Sequence, residues 1–180
     1  MHIIILPGNG AGDVFRANWY GWLFEKLNEI NGFSCDLKNM PDPVGAKESI
    51  WLPFMKDELK VTEETIIVGH SSGAAAAMRH AENNKVKAIV LVGAYISDLG
   101  DELERNSGYF NRPWEWEKIK ENCEWICQFA SKDDPFLPWE EQKEISEKLD
   151  LELHSYDNKG HFMSLQFSDL LNTLKKKFCK

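Results

Sequence analysis

Positive charge is in short supply in this chain. Lys and Arg number 21 against 29 Asp and Glu, giving a net charge of -8 and a pI near 5.2. A phosphate backbone would be repelled on average, and the one basic run, Lys175 to Lys177, is too small to reverse this, so no nucleic-acid partner is expected. Cysteine is sparse as well. Cys35, Cys123, Cys127 and Cys179 are scattered, the closest two separated by three residues, which leaves no paired ligand set for zinc and suggests reduced thiols. No metal is expected. Long apolar runs are also missing. The earliest, Ile3 to Leu6, stops at Pro7-Gly8, well short of a signal peptide or the ~20 residues of a membrane span. The expectation is a cytoplasmic protein, with the nucleus also open to it, and no membrane contact. Internal repeats and low-complexity tracts are absent.

What the chain does contain is ordinary globular material. Hydrophobic residues make up 43% and charged residues 28% of 180 positions, enough for one core and one domain over 1–180. Short apolar or β-branched runs predict strands at His2 to Leu6, Phe33 to Lys38, Thr65 to Val68, Ala88 to Val92, Trp125 to Ala130 and Leu151 to Tyr156. Helical spacing separates them: Trp19, Trp22, Leu23, Leu27 and Ile30; Ile50, Phe54, Met55 and Leu59; Ser72 to Ala81; Trp139 to Leu149; and Phe162 to Phe178. Pro53 should open or kink its helix. Strands alternating with helices predict an α/β fold, a three-layer sandwich whose mostly parallel six-stranded sheet is covered on both faces. One connection, about 93–124, is long and rich in aromatics, and reads as a lid or a pocket wall.

In such a sheet functional groups collect beyond the carboxyl ends of the strands. The third strand runs through Gly69-His70-Ser71-Ser72-Gly73 into Ala74 to Ala77, the G-x-S-x-G pattern of a nucleophile elbow. Ser71 is then a candidate nucleophile, and it needs a base. Of five histidines, His161, in a loop after the sixth strand, is best placed, whereas the side chain of His70 should project elsewhere from the turn. The base needs an acid to hold its tautomer. Asp134, in the loop after the fifth strand, is favoured over Asp133, with Asp98 beyond the fourth strand as the alternative acid. An oxyanion requires amide donors: the backbone of Ser72, and from the loop after the first strand Asn9, with Gly10 close behind. Gly8, Gly10, Trp114 and Trp116 are the expected walls of the substrate pocket. The same Gly-rich loop could cradle a dinucleotide, but Asp13 occupies the place of the last glycine, so no cofactor is expected.

These residues together resemble the retinoblastoma-binding protein nine family of small serine hydrolases, a compact branch of the α/β-hydrolase fold. The likeness is carried by PGNGAGD at 7–13, WYGW at 19–22, KNMPDP at 38–43, ESIWLPFM at 48–55, GHSSGA at 69–74, SDLGDE at 97–102, SGYFNRPWEWEKIK at 107–120, DDPFLPW at 133–139 and GHF at 160–162. It implies Ser71 as nucleophile, Asp134 as acid and His161 as base, and peptidase-like activity on short amino-acid amides or esters. The family's L-x-C-x-E element falls on Leu59 to Glu63, where Val61 replaces the cysteine and weakens any inference of pocket-protein binding. The expected function is therefore a serine hydrolase cleaving a small ester or amide, on a small-molecule or short-peptide substrate, through an acyl-enzyme. The competing reading is a non-catalytic interaction scaffold that uses exposed tryptophans or the Leu59 to Glu63 segment.

Overall fold

The apolar runs form six strands: β1 (His2–Leu6), β2 (Ser34–Leu37), β3 (Thr65–His70), β4 (Val86–Val92), β5 (Cys123–Ser131) and β6 (Glu152–Tyr156). In the computed structural model, which describes residues 1–179, they make one sheet in the order β2-β1-β3-β4-β5-β6, every neighbouring pair parallel. Lys180, the last residue of the expected domain, lies outside the described residues. The helices are α1 (Tyr20–Asn28), α2 (Glu48–Asp57), α3 (Ser72–Ala81), α4 (Glu102–Ser107), α5 (Trp116–Glu121), α6 (Trp139–Leu149) and α7 (Ser168–Phe178). None is long and apolar enough to cross a membrane, among the described residues.

Alternation along the strands divides the core into two layers. Ile3, Ile5, Ile66, Val68, Val90 and Phe129 pack with Leu23 and Leu27 of α1 and Leu170 and Leu174 of α7. Ile4, Leu6, Ile67, Ile89 and Leu91 face the opposite way, onto Met55 of α2, Ala74 to Ala77 of α3, Ile119 of α5 and Ile145 of α6. The two helical leucines of α1 and of α7 are completely buried, and each such side chain contributes ~1.5–3 kcal/mol.

α2 does not open at Pro53, which sits inside it on the solvent side, where the lost hydrogen bond is least costly. Two expected bounds are corrected. The last helix begins at Ser168 rather than Phe162: the segment before it is irregular, Phe162 has a left-handed φ of 53°, and its amide bonds back to Lys159 O. β4 begins at Val86, because the Val86 amide pairs with Asn122 O ahead of β5.

The long connection is folded onto the sheet. Arg79 of α3, 1% exposed, donates to the backbone carbonyls of Tyr109 (2.9 Å from Nε), Arg112 (2.8 Å) and Pro113 (3.0 Å), and pairs with buried Glu82. Its guanidinium lies 3.7 Å from the centre of the Trp114 ring. Trp114 stacks on Trp116 and donates its indole N–H to Ile96 O at 2.9 Å. All seven tryptophans are buried or half-buried.

Candidate active site

The sheet order reverses between β1 and β3, since β2 lies to one side of β1 and the later strands to the other. Loops after β1 and β3 diverge at such a point and leave a crevice at the carboxyl ends of the strands. A cavity of about 550 Å³ occupies it, lined by the β1 loop, Ser71, His161 and part of the long connection.

Ser71 stands between β3 and α3 at φ 54°, ψ -117°, a backbone state that costs of order 1–3 kcal/mol for a non-glycine residue. The turn is held by the Ser71 amide donating to Val92 O at 2.9 Å and by Ser71 O accepting from Ala74 and Ala75. Its two glycines are required sterically. A Cβ on Gly69 would lie 2.8 Å from the Ala74 amide nitrogen, and one on Gly73 2.7 Å from Pro7 O. Ser71 is 9% exposed, lines the cavity, and its hydroxyl has no hydrogen-bond partner among the described residues.

His161 lines the same cavity with a side chain 10% exposed, and its Nδ1 lies 2.7 Å from Oδ2 of Asp134, whose side chain is fully buried. The other Asp134 oxygen accepts the amides of Phe136 and Leu137 at 2.9 and 3.0 Å, which fixes the carboxylate plane. A carboxylate only accepts, so Nδ1 carries the hydrogen, and in the neutral ring Nε2 is then the acceptor. Phe136 packs edge-on to the imidazole, and Gly93, at a φ of 55° that favours glycine, lies against the same ring.

The other candidate acids are occupied elsewhere. Asp98 accepts from Arg105 Nε at 3.0 Å and from the Gly100 amide, and its carboxyl is held below the ordinary range by those two donors. Asp133 accepts from the Ser131 hydroxyl at 2.6 Å and the Gly160 amide at 2.9 Å, which lower its pKa and tie the loop after β5 to the loop that carries His161.

In the β1 loop the amide of Gly8 donates to the Tyr20 phenol oxygen at 3.0 Å and that of Gly10 to Pro43 O at 2.7 Å. Between them, the Asn9 amide has no partner among the described residues, and neither has that of Ser72 at the start of α3. Gly8 lies close against the elbow, since a Cβ there would come 3.3 Å from Ser71 Cβ, a tight contact.

Gly8, Asn9 and Gly10 line the cavity, but Trp114 and Trp116 do not: they are drawn onto α3 by Arg79 and the apolar layer around it. The long connection instead contributes Tyr95, Leu99, Asp101 and Glu104. Glu104 accepts from Tyr95 Oη at 2.6 Å and Asn9 Nδ2 at 3.3 Å, and burial raises its pKa. Sequence reasoning missed this acidic wall, since nothing in the pattern of 101–104 distinguishes it from an exposed helix start.

Away from the cavity, Cys127, Glu152 and His154 bring a thiol, a carboxylate and an imidazole within 4.8 Å of one another. Burial pushes the Cys127 thiol up, and Lys176 and Lys177 share that surface with Glu152 and His154, so a cation there would meet positive charge.

Comparison with known proteins gives the family and the fold. The family model described as serine hydrolase matches residues 3–168. Serine hydrolase RBBP9 of Rattus norvegicus is 59% identical over 172 residues, which is 96% of this chain and 92% of that protein. Among solved structures, the ydeN gene product of B. subtilis superposes with a TM-score of 0.88 at 24% identity, covering 99% of each chain. The meta-cleavage product hydrolase CumD of Pseudomonas fluorescens IP01 does so at 0.70 and 18% identity, covering 99% of this chain and 90% of that one. The latter two show the fold; with the family match and the rat relative, they establish that this chain belongs to the serine hydrolase family and has the α/β-hydrolase fold.

Proposed function

We propose that Ser71, His161 and Asp134 form a catalytic triad that cleaves a small ester or amide through an acyl-enzyme. Ser71 Oγ attacks the carbonyl carbon while His161 Nε2 takes its proton, and the imidazolium then gives that proton to the leaving group. Asp134 holds the Nδ1–H tautomer and stabilises the charged ring. Water attacks the acyl-enzyme in the second half, with His161 again as base. The amides of Ser72 and Asn9 receive the oxyanion. The observation that carries this reading is the 2.7 Å pair between His161 Nδ1 and a fully buried Asp134, set in the same cavity as a serine on a strained turn. The Ser71 hydroxyl forms its bond to Nε2 as substrate fills the cavity, a tightening common in catalytic sites.

The cavity wall supports a substrate class. Asp101 and Glu104 line it and no Lys or Arg does, so neutral or cationic substrates are admitted and carboxylates repelled. A short amino-acid amide or ester with a free amine fits that field. The scaffold alternative has less support, because no tryptophan is exposed and Leu59, first residue of the degenerate L-x-C-x-E element, is 1% exposed.

The test is labelling by a fluorophosphonate together with hydrolysis of amino-acid esters. Wild type should be labelled and active, and Ser71→Ala neither. Equal labelling of Ser71→Ala would reject the triad; faster turnover of an N-acyl ester than of its free-amine counterpart would reject the substrate class.

A further inference from the structure

His70 precedes the nucleophile in the chain, and the reaction described above gives it no part. It is 2% exposed and is engaged at both ring nitrogens. Nε2 lies 2.8 Å from the backbone oxygen of His161, and Nδ1 lies 2.5 Å from the phenol oxygen of Tyr20. A carbonyl can only accept, so the ring hydrogen is on Nε2. Nδ1 is then an acceptor, and the Tyr20 hydroxyl donates to it. The lone pairs of that hydroxyl are in turn satisfied by the Gly8 amide at 3.0 Å and Asn18 Nδ2 at 3.2 Å.

The bonds form one directional chain, from the Gly8 N–H through the Tyr20 O–H to His70 Nδ1, and from His70 Nε2–H to the carbonyl of His161. It joins three segments that are remote in sequence: the β1 loop next to Asn9, the elbow through the peptide bond to Ser71, and the main chain of the base itself. Burial, and then the neighbouring His161 ring 4.9 Å away, depress the pKa of His70 to about 3, so it remains neutral and in one tautomer while His161 cycles.

We propose that His70, with Tyr20, is a positioning unit of the active site, a buried hydrogen-bonded brace that sets the base and the oxyanion loop at a fixed distance from Ser71. It touches no reacting atom. Its effect is on geometry: misplacing a reacting group by about 1 Å costs on the order of 10²-fold in rate. The proposal rests on the triad reading above, with His161 as base.

Three variants test it. His70→Phe keeps a ring in the site and removes both bonds, His70→Gln retains one donor for the His161 carbonyl, and Tyr20→Phe deletes a single oxygen. His70 and Tyr20 also edge the cavity, so KM can move as well; with p-nitrophenyl acetate as substrate, His70→Phe should lower kcat by about 10- to 100-fold and change KM by much less than that, because the brace acts on the placing of the base. Tyr20→Phe should lower kcat by roughly 3- to 10-fold, and His70→Gln should recover part of the loss seen in His70→Phe. The double variant Tyr20→Phe/His70→Phe should be no slower than His70→Phe alone, since both break one chain.

A purely space-filling His70 predicts the reverse: kcat within about twofold in folded His70→Phe, or additive losses in the double variant; either outcome overturns the proposal. Where His70→Phe does not fold, unchanged kcat in Tyr20→Phe overturns it by itself. Ser71→Ala run alongside separates the two levels of the argument. If Ser71→Ala keeps its activity the triad reading fails, whereas an inactive Ser71→Ala beside a fully active His70→Phe removes only the brace.

Discussion

Replacement of Asp134 by Asn changes almost nothing in size and reverses the chemistry of one contact. Asp134 Oδ1 accepts two backbone amides, from Phe136 and Leu137, so the carbonyl oxygen of an asparagine would keep that place and its NH₂ would face His161 Nδ1. An NH₂ group donates. Nδ1 would have to become the acceptor, and the ring hydrogen would move to Nε2, the nitrogen that takes the Ser71 proton in the proposed triad. The imidazolium would also lose the carboxylate that now stands 2.7 Å away in a site where that carboxylate is fully buried. A wrong tautomer in this setting costs about 10³ to 10⁴ in kcat. That corresponds to ~4–5.5 kcal/mol on the barrier at 1.36 kcal/mol per decade. KM should stay within about threefold, because neither group binds the ground-state substrate. The stability loss should be smaller, ~1.5–3 kcal/mol for one buried charge-assisted bond, and readable as a modest fall in Tm. The assay is initial-rate hydrolysis of p-nitrophenyl acetate by the purified variant, with circular dichroism as the check on folding. A folded Asp134→Asn protein that keeps kcat within about tenfold of wild type would refute the assignment of Asp134 as the tautomer-fixing acid.

Acid should weaken the fold through two buried imidazoles. Burial depresses His70 to about 3 and His80 to about 4, against 6.5 for a free imidazole, so both are folded as neutral groups. Their stabilisation is complete above pH ~6.5 and is lost as pH falls through that value towards 4 and 3; by pH 5 the two together cost on the order of 4 kcal/mol. Urea midpoints that do not change between pH 7.5 and pH 5 would contradict this. Arg79→Met removes the nearest cation from buried Glu82, which keeps only Arg112 at 3.7 Å and the Glu115 amide at 3.0 Å, and frees the carbonyls of Tyr109, Arg112 and Pro113, for a predicted loss of ~2–4 kcal/mol by urea denaturation. A loss below about 1 kcal/mol would show that the long connection is held by its aromatics alone. Ser71→Gly relieves a left-handed φ of 54° and should raise stability by ~1–2 kcal/mol while abolishing turnover. A lowered Tm in that variant would mean that the elbow is not strained.

How far the sequence leads depends on the range over which a residue finds its partners. The strands were legible because Ile66 to Val68 and Ala88 to Val92 are buried on both faces and carry unbroken apolar runs. The elbow was legible because its requirement is local: glycines two residues either side of Ser71, directly between a strand and a helix. The loops carrying Asp134 and His161 followed from strand order, since parallel strands deliver their ends to one rim. What could not be read was set by contacts between distant segments. Trp114 and Trp116 look like pocket aromatics until Arg79, 35 residues before the first, is seen drawing the connection onto α3. Glu104 becomes a cavity wall only through Tyr95 and Asn9, the latter 95 residues away. The sequence sends the His70 side chain away from the turn, yet it lines the same cavity as Ser71, because its partners Tyr20 and His161, which hold it there, lie 50 and 91 residues off. The irregular segment before α7 kept helical spacing in its aromatics, and only the positive φ of Phe162 and the bond from Trp19 Nε1 to Phe162 O reveal the turn.

The central claim, that the Ser71 alcohol becomes the acyl carrier, is tested most directly by trapping the intermediate. Wild-type protein mixed rapidly with p-nitrophenyl acetate, quenched in acid and digested should show one acetyl group, on the peptide that contains Ser71, at a stoichiometry approaching one per chain. An acetyl group found reproducibly on another residue, or a product burst undiminished in Ser71→Ala, would contradict the account.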